Sequence, residues 1–229
     1  MEFLHAVIVL SNFVIIPAIT YGSQLALGAL GVTLVYGILR FSNFAHGDTM
    51  AFGTMVAILF TWWFQSIGVS IAPLPTALLA LPIAIVLTAL LLLGTDRVVL
   101  RFYRKQKSAP VILLIVSLGI MFVYNGLVRF IIGVGDQRFS DGSRFIISAR
   151  DFKKLTGLDE GLAIKTTQVI TVITAVMVVA LLFWFLNRTR TGKSMRAFSD
   201  NEDLALLSGI NPERVVLYTW LIVAALATI

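Results

Sequence analysis

Between His5 and Arg40 the chain runs for 34 residues without a formal charge, and further long apolar runs recur as far as Ile229. A straight helix of 34 residues reaches about 51 Å, well beyond the roughly 30 Å hydrocarbon core of a bilayer. Such runs exceed what the core of a water-soluble domain needs. Of the 229 residues, 58% are hydrophobic and 13% charged, whereas soluble domains carry about 25% charged residues. Lipid is therefore the solvent to reason in. There each backbone N–H and C=O must be paired within its own segment or in a closed barrel, and unbroken apolar runs suit helices where barrel strands alternate. The expected fold class is all-α: a polytopic transmembrane helix bundle, with about six spans and residues 1–229 forming one membrane domain.

Pro17 and Tyr21-Gly22-Ser23 offer a break in the first run. The first firm span is accordingly expected near residues 18–39, with residues 3–16 at the interface or in a broken entry helix, and residues 3–14 dispensable for the rest. The second span is expected from about Thr49 to Ser66, ending in Trp62-Trp63-Phe64, an aromatic cluster suited to the headgroup level. The third covers residues 74–94 with Pro82 as a kink, the fourth 109–132, the fifth 166–186, and a sixth begins after Pro212. Val215 to Ile229 gives this sixth span 15 residues, about 22 Å of helix, with no charge to close it. A chain truncated at its C-terminus, lacking further helices, is the expectation. Met1 to His5 has no basic region of the kind that opens a cleaved signal, so the N-terminus is read as mature.

The net charge of +6 sits in short blocks beside apolar runs, which reads as membrane topology rather than nucleic-acid binding. Residues 95–107, read as a loop, hold Arg97, Arg101, Arg104, Lys105 and Lys107, while residues 65–73 hold no charge at all. That contrast puts 95–107 in the cytoplasm. Parity then puts the loop at 187–213 in the cytoplasm, residues 134–165 outside and the N-terminus extracytoplasmic. With no cysteine, disulfides, thiolate metal sites and a cysteine nucleophile are excluded.

The cytoplasmic stretch from Thr191 to Arg214 is rich in helix punctuation. Ser199 followed by Glu202 has the form of a capping box, and Asp200, Glu202 and Asp203 place negative charge at a helix start. The expected short helix presents Leu204, Ala205, Leu206 and Leu207, then stops at Gly209 with Ile210 packing back. Asn211 caps the next helix, Pro212 fits its first turn, and Glu213 follows. Capping alone fits a plain, well-terminated connection as well as a docking element. Gly192-Lys193-Ser194 is not a phosphate loop, because position 187 is Asn where glycine is required and a membrane helix precedes it.

Asn43, His46 and Asp48 are polar groups at the junction of two apolar spans. A charge at the bilayer centre costs about 2.5–3.5 kcal/mol on insertion scales, so Asp48 is expected to face water, a partner or a helix N-terminus. Asn43 and Asp48 fit either a cap on the second span or a functional path, and Asn125, beside Tyr124, either lines that path or makes a helix contact. Arg129 near a helix end snorkels outward. No metal site is expected, since His46 has no neighbouring ligand, and no catalytic residues or cofactor are assigned.

Gly192, the acidic-Leu-Ala run and Gly209-Ile210-Asn211-Pro212 resemble the cytoplasmic loop by which ABC-transporter permeases dock on their ATPases. Arg190-Thr-Gly-Lys-Ser-Met-Arg-Ala197 with Leu206-Leu-Ser-Gly-Ile-Asn211 resembles, more specifically, the permease subunit of bacterial branched-chain amino acid ABC importers. A second match, Gly31-Val-Thr-Leu-Val-Tyr-Gly-Ile-Leu-Arg-Phe-Ser-Asn-Phe-Ala-His-Gly-Asp48, is similar to that family's first helix, with Asp48 where Glu is commoner. The resemblance implies a multi-pass inner-membrane permease for branched-chain or other small apolar amino acids. It implies four kinds of neighbour: a related second permease subunit, two ABC ATPase subunits, an extracytoplasmic substrate-binding protein and membrane lipid, with no nucleic acid and no catalysis in this chain. The segment from Ser199 through Asp200, Glu202, Asp203, Leu204, Ala205, Leu206 and Leu207 to Gly209 would then couple ATPase closure to the fifth and sixth spans, and Asn43, His46, Asp48 and Asn125 would line the substrate path. An energy-uncoupled solute channel and a membrane scaffold or sensor subunit are the readings from other classes.

The orientation is tested in the naturally cysteine-free chain. A cysteine at Gln106 should react with an impermeant thiol reagent only after the cytoplasmic face is opened, and one at Ser143 from outside; the reverse pattern would invert the topology.

Overall fold

The computed structural model describes residues 2–69, 75–137, 145–156 and 161–229. Ser143 and part of the expected extracytoplasmic loop lie outside them. The chain is helical as expected: α1 (Glu2–Leu10), α2 (Ile16–Leu39), α3 (His46–Ser66), α4 (Ala77–Thr95), α5 (Arg101–Lys105), α6 (Pro110–Ile132), α7 (Ala149–Thr156), α8 (Thr166–Arg188), α9 (Arg190–Asp200), α10 (Glu202–Leu207) and α11 (Pro212–Thr228). Four helical runs among the described residues are long and apolar enough to cross a membrane: His5–Leu39, Ala77–Lys105, Pro110–Ile132 and Thr166–Arg188. The remaining two expected spans form as α3 and α11, of 21 and 17 residues. Both pack against α4 and against each other, and α11 buries Val215, Val216, Thr219, Trp220, Val223 and Ala224. A helix surrounded by protein needs less lipid-facing apolar surface, which accounts for their more polar sequences.

Two expected breaks are absent. Pro17 does not interrupt the first run, because the helix widens into a π turn over Ser11–Ile15 and continues as α2. Widening absorbs the backbone bond that proline cannot donate. Residues 95–107 were expected as a loop, yet α4 passes through a second π turn, Asp96–Leu100, into α5.

The chain forms two compact units. In the first, Met1–Ala26 with Ser140–Leu182, Asn12 within the π turn donates to the Gly161 carbonyl at 2.6 Å and accepts from Ala163 N–H at 2.9 Å. These bonds tie the entry segment to the rest of its unit. Short strands β1 (Phe145–Ile147) and β2 (Ile164–Lys165) pair antiparallel, Phe145 opposite Lys165.

The second unit comprises Leu27–Phe139 and Phe183–Ile229. Its core contains Val35, Phe41, Met195, Trp220 and Val223, all essentially inaccessible. The buried threonines Thr49, Thr61, Thr219 and Thr228 donate to the carbonyl four residues back, at 2.7–2.8 Å, which satisfies each hydroxyl within its own helix. Gly53 lets α3 meet α11 closely: a Cβ there would lie 2.8 Å from Thr228 Oγ1 and 3.1 Å from its Cα.

Asp96, buried in the second π turn, receives Arg104 through both guanidinium nitrogens at 2.5 and 3.2 Å. Trp220 Nε1 of α11 donates to the same carboxylate at 2.9 Å. One residue earlier, the Thr95 and Tyr124 hydroxyls share a 2.6 Å hydrogen bond to α6. Trp220→Phe keeps an aromatic ring but removes a donor to a charged acceptor, a loss of about 1.5–3 kcal/mol, to which the smaller ring adds the cost of a cavity. The expected outcome is a lowered unfolding temperature in detergent with unchanged helix content.

Candidate functional site

The segment from Thr189 to Pro212 is shaped by its caps. Thr189 caps α9 by accepting from Gly192 N–H at 3.0 Å. Gly192 sits so close to the end of α8 that a Cβ would lie 2.3 Å from the Phe185 carbonyl oxygen, so the tight turn between α8 and α9 requires glycine. The expected capping box on Ser199 is not formed. α9 continues through Ser199 and Asp200, and Asn201, extended at φ −153°, is the cap of α10, its Oδ1 accepting from Leu204 N–H at 3.0 Å. Asparagine competes with serine for this position on equal chemistry, and here it wins. Glu202 and Asp203 occupy the first turn of α10, where the helix dipole favours them; Asp200 belongs to the preceding helix.

At the far end Gly209 takes a left-handed φ of +81°. Its N–H bonds Leu206 O and that of Ile210 bonds Ala205 O, both at 3.0 Å, the paired closure that terminates a helix at glycine. Ile210 packs against the core. Asn211 accepts from Glu213 N–H at 3.0 Å and opens α11, with Pro212 in its first turn. The result is a short helix held at both ends. Ala205 faces inward at 3% exposure, while Leu204 at 61%, Leu206 at 45% and Leu207 at 85% face out. Beside it lies a cleft of about 590 Å³, with Lys105 and Lys107 lining it together with Glu202, Asp203 and Leu206.

Sequence reasoning missed one attachment of this segment. The Arg40 guanidinium donates to the main-chain carbonyl of Ser199, and the Ser199 hydroxyl donates to the carbonyl of Gly37. Arg40 itself adopts φ +59°, a left-handed conformation that costs a non-glycine residue about 1–2 kcal/mol. The only signal in the sequence was a charged residue closing the first apolar run.

The polar residues at the head of α3 are drawn into separate contacts. Asn43, buried, accepts from Ala45 N–H at 3.2 Å and so shapes the turn before α3, although Ala45 is the formal cap and has no side-chain bond. Ser117 of α6 pins the same turn by accepting from Phe44 N–H at 3.1 Å. His46 is 3% exposed. Its Nε2 bonds the Gly28 carbonyl at 3.1 Å, its ring occupies the space that a Cβ on Gly31 would fill at 2.4 Å, and Nδ1 is buried with no partner among the described residues. Asp48 and Asn125, 77 residues apart, meet: Asn125 Nδ2 donates to Asp48 Oδ1 at 2.9 Å and joins α6 to α3. Asp48 is half-buried and in the first turn of α3, which meets the requirement that its charge find a helix N-terminus and a donor.

A family model described as the permease component of the branched-chain amino acid transport system matches residues 14–229. Among curated proteins, the chain is 30% identical over 215 residues to the high-affinity branched-chain amino acid transport system permease protein LivH of Escherichia coli, covering 92% of this chain and 66% of that protein. It is 28% identical over 214 residues to LivH of Salmonella typhimurium, with the same two coverages, and 27% identical over 216 residues to BraD of Pseudomonas aeruginosa, covering 94% and 67%. The chain thus spans about two thirds of the length of the relatives it matches. No solved structure matches it.

Proposed function

Because this membrane protein belongs to the family of branched-chain amino acid transport permease components, we propose that it is the translocating subunit of an ABC importer for branched-chain or similar small apolar amino acids. In this reading it lies in the bacterial inner membrane with its N-terminus outside. It pairs with a related permease, takes substrate from an extracytoplasmic binding protein and is driven by two ATPase subunits, so that no chemistry occurs in this chain.

The observation that carries the proposal is α10. A six-residue helix capped by Asn201 and closed at Gly209 turns Leu204 and Leu207 outward, at 61% and 85% exposure. An isolated exposed leucine is ordinary, but leucines on a helix clamped at both ends form a preorganised anchor that loses little entropy on binding. Docking of an apolar helix in a groove is a familiar mode of recognition. Ser199, Asp200, Glu202, Asp203, Leu204, Ala205, Leu206, Leu207 and Gly209 form the coupling element in this proposal, with Ala205 holding it to the core.

Along the substrate path, Asp48 and Asn125 are the better supported pair. Asn125 occupies only Oδ1 of the carboxylate, leaving Oδ2 for the ammonium group of an amino acid. Asn43 and His46 shape the approach, since their bonds go to the turn and to α2.

Leu207→Asp puts an unpaired charge at the centre of the docking face and should weaken ATPase association by about 2–4 kcal/mol, abolishing co-purification and uptake while membrane insertion stays normal. Retention of both at wild-type level would reduce α10 to a connection.

A further inference from the structure

Chain continuity makes α8 and α11 the natural recipients of any displacement of α9 and α10. The structure supplies a third route. The last turn of α2 and the last turn of α9 hold each other by reciprocal bonds, Arg40 to the Ser199 carbonyl and the Ser199 hydroxyl to the Gly37 carbonyl, across sequence separations of 159 and 162 residues. Both acceptors lie in the final turns of their helices, where carbonyls lack intrahelical partners. The guanidinium also sits at the negative end of the α9 dipole.

The backbone at Arg40 sharpens the point. Three positions that end helices in this region are left-handed, φ +81° at Gly209, φ +59° at Arg40 and φ +50° at Lys107. Glycine meets such a demand without strain and arginine does not. What Arg40 provides that glycine would not is its side chain, and that side chain is bonded to α9. Further along α2, Gly28 and Gly31 form the surface against which His46, the first residue of α3, is packed. Two residues on, Asp48 is bonded to Asn125 of α6. One helix thus connects the cytoplasmic segment with the polar contacts at the head of α3.

We propose that Arg40 is a positioning residue that clasps α9 to α2, so that displacement of the cytoplasmic segment is passed through α2 to the His46 and Asp48 region. This rests on the reading of α10 as an ATPase-docking helix. The clasp is a strut: it stays closed while the two helix ends move together.

The test is the ratio of substrate taken up to ATP hydrolysed by the full-length protein in its assembled complex in proteoliposomes. Arg40→Gly relieves the backbone while removing the clasp. It should assemble and retain the ATPase at wild-type level, yet lower the transport-to-hydrolysis ratio by about fivefold or more. Arg40→Lys, which keeps a cationic donor, should recover most of the ratio, and Ser199→Ala, which removes only the returning bond, should fall between. An unchanged ratio in Arg40→Gly, whether uptake and hydrolysis are normal or reduced together, would overturn the clasp and leave docking by α10 intact. Failure of both Arg40→Gly and Ser199→Ala to assemble would make the contact purely structural and overturn the proposal equally. A wild-type complex whose hydrolysis moves no substrate would overturn the docking reading and the clasp with it.

Discussion

A carboxylate buried in an apolar bundle must be paired, and the pairing of Asp96 organises much of the second unit. Its two oxygens take the Arg104 guanidinium, and one of them also takes the Trp220 indole N–H. The first partner lies one helix further along the same run, in α5, and the second lies on α11. The charge therefore fixes where α11 enters the core and holds the Arg104 side chain of α5 against the π turn that follows α4. Removing either partner would expose the other to the cost of an incompletely satisfied buried group. The π turn at Asp96–Leu100 belongs to the same arrangement, since a widened turn re-aims side chains without ending the helix.

From α11 the constraint passes to the segment before it. α11 begins with Asn211 and Pro212, directly after the glycine closure of α10, and Arg101 of α5 reaches Glu213 at 3.2 Å in its first turn. That ion pair is exposed and adds little by itself. Together with the buried pairing, however, it leaves the start of α11 little freedom. α9 is fastened separately, by the glycine-tight turn from α8 and by Arg40 of α2. In the proposed reading, α10 mounted between two such anchors would move as a body, as transmission of force to membrane helices requires.

Local chemistry was the legible part of the sequence. The apolar runs specified helices, and Gly209, Asn211 and Pro212 ended and restarted them where the structure does, because a cap depends on a handful of adjacent residues. Ser199 misled for the same reason: Ser199 and Asn201 both precede acidic residues, and the choice between them was made by the Gly37 carbonyl, which engages the Ser199 hydroxyl. Pro17 and the 95–107 cluster were read as ends of helices, but widened turns carried the chain through both. The tertiary pairs, Asp48 with Asn125 and Arg40 with Ser199, link residues 77 and 159 positions apart. In a helix apolar on every side, periodicity does not say which face meets protein and which meets lipid, so such pairs emerge only from the fold.

The central claim is that α10 presents its outer face to a partner ATPase. Its most direct test is site-specific photo-crosslinking in the assembled complex, with a photoreactive residue placed in turn at Leu204, Ala205 and Leu207. The two exposed positions should form adducts with the ATPase, and position 205, buried against its own chain, should yield only intrachain products. Absence of any ATPase adduct from Leu207, the most exposed residue of the helix, would contradict the account.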